Sequence, residues 1–157
     1  MEKSRKSLSY VKIKTKQNMD GYLKYVVDNC KAAFDELCKT NKELVIGMSP
    51  KSNADVNHLG AMDRMIKDYL VIRVAGLFDK DTRTISFNIA FPQNQEVEKI
   101  EHEEIIKKII ENRNRFVGHS DRDYIMANNF IIPTDEICSS NLKSLLEKLE
   151  HLLFIDE

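Results

Sequence analysis

The chain has 157 residues, 42% of them hydrophobic and 31% charged, a length and balance that fit one ordinary globular domain. Lys and Arg number 24 against 25 for Asp and Glu, which excludes a generally polycationic nucleic-acid binder but permits a local basic patch. No uninterrupted apolar run approaches the roughly 20 residues a bilayer requires, and the basic start MEKSRKSLSYVKIKTK lacks the apolar stretch of a secretory signal.

Residues 1–16 carry six basic side chains (Lys3, Arg5, Lys6, Lys12, Lys14 and Lys16) against Glu2, and they are expected to form a separate, flexible basic arm. The first predicted helix covers residues 17–40. Its apolar positions Tyr22, Val26, Cys30, Phe34, Leu37 and Cys38 recur at three or four residues, the spacing of one helix face. Residues 47–55, GMSPKSNAD, have loop composition. A second helix is predicted over residues 55–78, with Leu59, Met62, Met65, Ile66, Tyr69, Arg73, Val74 and Leu77 on its inner face, where Arg73 is the only polar member.

Residues 78–87 break the helical period. Asp79, Asp81 and Thr84 favour turns or caps, Ser86 is suited to cap a short following turn of helix, and TISFNIAF is the best strand candidate in the chain. A third long helix is predicted over residues 97–117, with Ile100, Ile105, Ile109, Phe116 and Val117 inward and the pairs Glu103/Lys107 and Glu104/Lys108 outward. The last, over residues 141–154, is a leucine stripe: Leu142, Leu145, Leu146, Leu149, Leu152 and Leu153. The expected fold is therefore all-α, a single domain over residues 1–157 built as an antiparallel up-and-down bundle of four to five helices.

Motif chemistry eliminates most enzyme classes. The sequence has no Walker loop, no GxGxxG after a strand, no HExxH and no GxSxG. Cys30, Cys38 and Cys138 are odd in number and show no CxxC, so neither a disulfide framework nor a cysteine-rich zinc site is expected, and a reduced, cytoplasmic setting fits. None of His58, His102, His119 and His151 has a second His or Cys at metal-ligand spacing, so no metal and no cofactor are expected. His58, His102 and His151 read as surface residues.

What remains is the thirteen-residue stretch 111–123, ENRNRFVGHSDRD. Arginine offers a permanent cation with a planar donor fork suited to phosphate, and histidine moves protons near neutrality without a perturbed pKa. Metal-free RNA cleavage needs those two functions: one group moves the 2′-hydroxyl proton, and another stabilises charge building on the phosphoryl group. The bland alternative is a helix C-terminus whose basic residues favour the dipole and whose Gly118 ends the helix.

The segment RNRFVGHSD resembles the R-N-x-x-x-x-H form of the Rx4-6H motif of HEPN domains (higher eukaryotes and prokaryotes nucleotide-binding), and more narrowly their U-type abortive-infection branch. LFDKDTRTISF, residues 77–87, is similar to that branch's motif after its central helix. With the helix order, the resemblance spans residues 18–154. It implies an all-α, usually dimeric bundle in which the Arg-His motifs of two subunits meet in a shared cleft. It also implies metal-independent endoribonuclease activity, often in a toxin or phage-defence effector with an antitoxin partner. Carried over by position, Arg113 stabilises the phosphoryl transition state, His119 is the general acid or base, and Asn114 orients the site. Asp121 stands where some toxin branches carry a Tyr that a partner nucleotidyltransferase modifies, so that form of neutralisation is not expected. Arg115, Asp121 and Arg122 are the candidate RNA contacts.

Helix geometry leaves one choice open. At about 100° per residue, Arg113 and His119 point to different faces of an unbroken α-helix, whereas Arg115 and His119 align. Either the helix distorts near Gly118, or Arg115 is the functional neighbour of His119. A non-catalytic binding module using the same residues, or a helical interaction protein presenting the 142–153 leucine stripe, are the competing readings.

Overall fold

The computed structural model describes residues 2–46, 52–117 and 132–155. Among them the chain is all-α, with no strand. In chain order the elements are α1 (Glu2–Ile46), α2 (Asn53–Gly76), α3 (Phe87–Ala90), α4 (Gln95–Glu101), α5 (Glu104–Asn112), a π-helical turn (Arg113–Val117), α6 (Thr134–Ser139) and α7 (Leu142–Leu152).

α1 is longer than its apolar stripe. The backbone of residues 2–16, expected as a separate arm, continues the helix without a break. Leu23, Val26, Val27, Cys30, Phe34 and Leu37 are all below 9% exposed and form the spine of the core. Against them pack α2, α6 and α7. The leucine stripe of α7 is core as its spacing implies: Leu142, Leu145, Leu146 and Leu149 are buried. Two ion-pair groups fasten α7 to α1: Lys24 and Lys31 both reach Glu150 (3.4 and 2.6 Å), and Lys143 meets Asp35 at 2.7 Å.

α2 faces inward differently from its predicted pattern. Leu70, Val71, Val74 and Ala75 are buried, whereas Met65 is 68% exposed. α2 packs against both α1 and α5, and its predicted inner residues Met62, Met65, Ile66 and Tyr69 instead line an open groove with Ala32, Ala33 and Glu36 of α1. Ser52 caps its start by accepting a hydrogen bond from the Asp55 amide at 3.1 Å.

The predicted strand in residues 84–91 is absent. Ser86 instead caps α3, accepting from the Ile89 amide, and Phe87 enters the core fully buried. The single helix predicted over residues 97–117 is three pieces. Val97 and Ile100 are buried on α4, and Ile105, Ile106 and Ile109 on α5. The five-residue step from Ile100 to Ile105 falls about 140° off one face at about 100° per residue. A break at His102–Glu103, where Glu103 is extended (φ −61°, ψ 140°), returns both apolar sets to the core.

Cys38 on α1 and Cys138 on α6 are paired as a disulfide, with Cα atoms 5.4 Å apart across a sequence separation of 100. This corrects the expectation of no disulfide framework: the absence of CxxC spacing says nothing about a contact between residues 100 positions apart. Cys30 is buried, and burial pushes its thiol pKa up to about 12. Among the described residues no helix is long and apolar enough to cross a membrane.

Candidate functional site

The site begins where α2 ends. Beyond Leu77 the chain turns back on itself through a network of short hydrogen bonds. The Phe87 amide donates to the Leu77 carbonyl (2.8 Å), Asn88 Nδ2 to the Phe78 carbonyl (2.8 Å), and Ser86 Oγ to the Asp79 carbonyl (2.5 Å). Asp79 Oδ1 accepts from the Asp81 amide at 3.0 Å. Asp81 in turn clamps Arg83, with Nη2 to Oδ2 at 2.6 Å, and this pairing holds the Asp81 carboxyl below the usual carboxylate range. The segment rich in Asp, Thr and Ser is thus a fixed turn whose product is the placement of Asp79.

Facing it is the π-turn. α5 stays α-helical to Asn112, which is 3% exposed, and the backbone then widens over Arg113–Val117. A π-turn returns the residue five positions on, rather than four, over each starting residue, and such turns recur at functional sites. The helix is therefore distorted just ahead of Gly118, one of the two alternatives that the arginine geometry posed.

Arg113 emerges from this turn toward α2 with 29% of its side chain exposed, and its Nη1 lies 3.8 Å from Asp79 Oδ2. That separation attracts electrostatically but is too long for a hydrogen bond. The buried Nε has no hydrogen-bond partner among the described residues. The two segments that carry the HEPN resemblance, residues 77–87 and the stretch beginning at Arg113, thus meet at this pair. Between them lies a cleft of about 390 Å³, whose walls include Tyr22, Ile72, Arg73, Gly76, Ile85 and Arg113.

Asn114 and Arg115 do not share this cleft. They line a neighbouring groove of about 410 Å³ with Lys80, Glu101 and His102, and Arg115 pairs with Glu111 at 3.3 Å along its own helix. Asn114, expected to orient the site, thus lines the groove beside the Arg113 cleft. His119, Asp121 and Arg122 lie outside the described residues. His58, His102 and His151 are exposed.

Three contributors to the cleft were not among the predicted site residues. Asp79 sits inside the second resembling segment but reads there as a turn former. Arg73 was visible as the lone polar residue in an otherwise apolar helical pattern. Its guanidinium rests over the Tyr69 ring, 5.6 Å from the centroid, and no carboxylate pairs with it among the described residues. Tyr22 was assigned inward by periodicity and is instead 41% exposed at the cleft rim.

The chain matches no known protein-family profile, no curated protein and no solved structure.

Proposed function

We propose that the chain is a metal-independent endoribonuclease of the HEPN type, acting in the cytoplasm as a toxin or phage-defence effector. In this reading the active form is a homodimer of antiparallel bundles in which two Arg-His segments share one cleft, and an antitoxin restrains it. The observation that carries the proposal is Arg113: a half-buried guanidinium at a cleft, on a π-turn leading into Gly118-His119, with a buried Nε awaiting an acceptor. A phosphoryl oxygen is such an acceptor, and a planar guanidinium donates two parallel hydrogen bonds to a phosphoryl group. His119 supplies the acid-base step on the 2′-hydroxyl and the leaving oxygen. Two copies in one cleft supply an acid and a base together.

A non-catalytic nucleotide-binding module is the alternative, favoured by the separation of Asn114 from the Arg113 cleft. Incubating the purified protein with single-stranded RNA in EDTA separates the two. The expected outcome is cleavage that His119→Ala lowers by about 100- to 10,000-fold without changing the helical circular dichroism. Cleavage by the variant at the wild-type rate would remove the enzymatic reading.

A further inference from the structure

Arg113 is not the only guanidinium at its cleft. Arg73, one helix away on α2, lines the same walls and has no acidic partner among the described residues. Tyr69 fixes it from below by cation–π contact, which holds the charge in place without neutralising it. Arg83, beside the lining residue Thr84, is committed to Asp81. The cleft therefore contains two guanidiniums against the single carboxylate of Asp79, and it is biased toward an anion.

The remainder of the lining is apolar and aromatic. Ile72 and Ile85 are 48% and 39% exposed along the same wall, and Tyr22 stands beside Tyr25 with ring centroids 6.5 Å apart. A bare inorganic ion has no use for such walls, whereas a flat heterocycle covers them. The cavity of about 390 Å³ falls within the range of pockets that hold small ligands.

We propose that the cleft is a nucleotide subsite in which Arg73 and Arg113 grip one phosphate and the Tyr22–Ile72–Ile85 rim receives the attached base. The inference rests on the nucleic-acid reading of Arg113 and adds Arg73 as a phosphate-binding residue and Asp79 as the group that phosphate replaces. In the free protein Asp79 holds Arg113 at 3.8 Å, poised but not hydrogen-bonded. On binding, phosphate oxygens take the Nε and Nη donors, which relieves the buried unsatisfied Nε. Asp79 then competes with the ligand for Arg113.

Gly76 provides a means of closing the cleft without disturbing the core. A Cβ built there meets nothing within 4 Å, and its φ is not positive. Gly76→Leu should fill the space while improving helix propensity.

The test is calorimetric titration of the full chain with 5′-AMP, adenosine and inorganic phosphate. AMP should bind saturably, with adenosine and inorganic phosphate each at least about tenfold weaker. Arg73→Gln and Gly76→Leu should each weaken AMP by about tenfold or more at unchanged melting temperature, and Asp79→Asn should tighten it. The proposal is overturned if wild type shows no saturable AMP binding at millimolar concentration, or if Arg73→Gln and Gly76→Leu bind AMP as wild type does. Inorganic phosphate binding as tightly as AMP would overturn the base subsite. Ribonuclease activity is scored independently: a wild type that binds AMP but leaves RNA uncut in EDTA fails the ribonuclease reading alone, whereas an active wild type whose AMP affinity ignores Arg73→Gln fails the subsite alone.

Discussion

Lys67 sits on the inner side of α2 at 9% exposure, and burial pushes its ammonium pKa down despite the attraction of Asp63 and Asp68. A lysine whose folded pKa lies below its unfolded value near 10.4 binds fewer protons when folded, so it penalises folding. The penalty is full below the lowered folded pKa and disappears as pH rises through the unfolded value. Lys67→Met should therefore stabilise the protein at pH 7 by about 0.5–2 kcal/mol in urea denaturation, with the gain shrinking toward pH 10 and above. A destabilised variant at pH 7 would show that the ammonium is engaged productively. Little of this was legible in the sequence, where Lys67 reads as one more charge on a helix. Arg73 was legible, because a lone cation interrupting an apolar stripe is visible in one dimension. Arg113 and Asp79 were each visible, but their meeting was not, since only the turn network through Ser86 and Asn88 brings residue 79 back toward the end of α5.

That turn is itself testable at the scale of elements. Ser86 is fully buried, and its hydroxyl both donates to the Asp79 carbonyl and accepts from the Ile89 amide, so one side chain closes the loop and starts α3. Ser86→Ala should cost about 1–3 kcal/mol of stability by thermal denaturation, combining a lost cap with an orphaned carbonyl. A cost indistinguishable from zero would mean the loop is held elsewhere. The Cys38–Cys138 pair ties α6 to α1 and closes a loop of 100 residues. Cys138→Ser should lower stability by about 2–5 kcal/mol in oxidising buffer and far less with a thiol reductant present. Equal urea midpoints for the two proteins in oxidising buffer would contradict the crosslink. Helix existence was readable from period alone, and α1, α2 and α7 appear where the 3–4 spacing puts them. Orientation was less so. α2 is packed by both α1 and α5, and which of its apolar residues become buried depends on where those helices sit, which no local pattern encodes. The break between α4 and α5 was available in principle in the five-residue step from Ile100 to Ile105.

At the scale of the whole molecule, the helical bundle follows from four amphipathic stretches, few breakers and a leucine stripe that α1 covers. The architecture positions chemistry by bringing the end of α2 and the end of α5 to one edge, with Asp79 and Arg113 across a cleft. On the proposed reading, this cleft, and not the groove holding Asn114 and Arg115, is where RNA is cut. The most direct measurement is the single-turnover cleavage rate of single-stranded RNA in EDTA for wild type, Arg113→Lys and Arg115→Lys. Lysine keeps the charge but lacks the planar fork, so Arg113→Lys should fall by about 100-fold or more while Arg115→Lys stays within a few-fold of wild type. The reverse order, with Arg115→Lys crippled and Arg113→Lys active, would place the chemistry in the neighbouring groove and refute the assignment to Arg113.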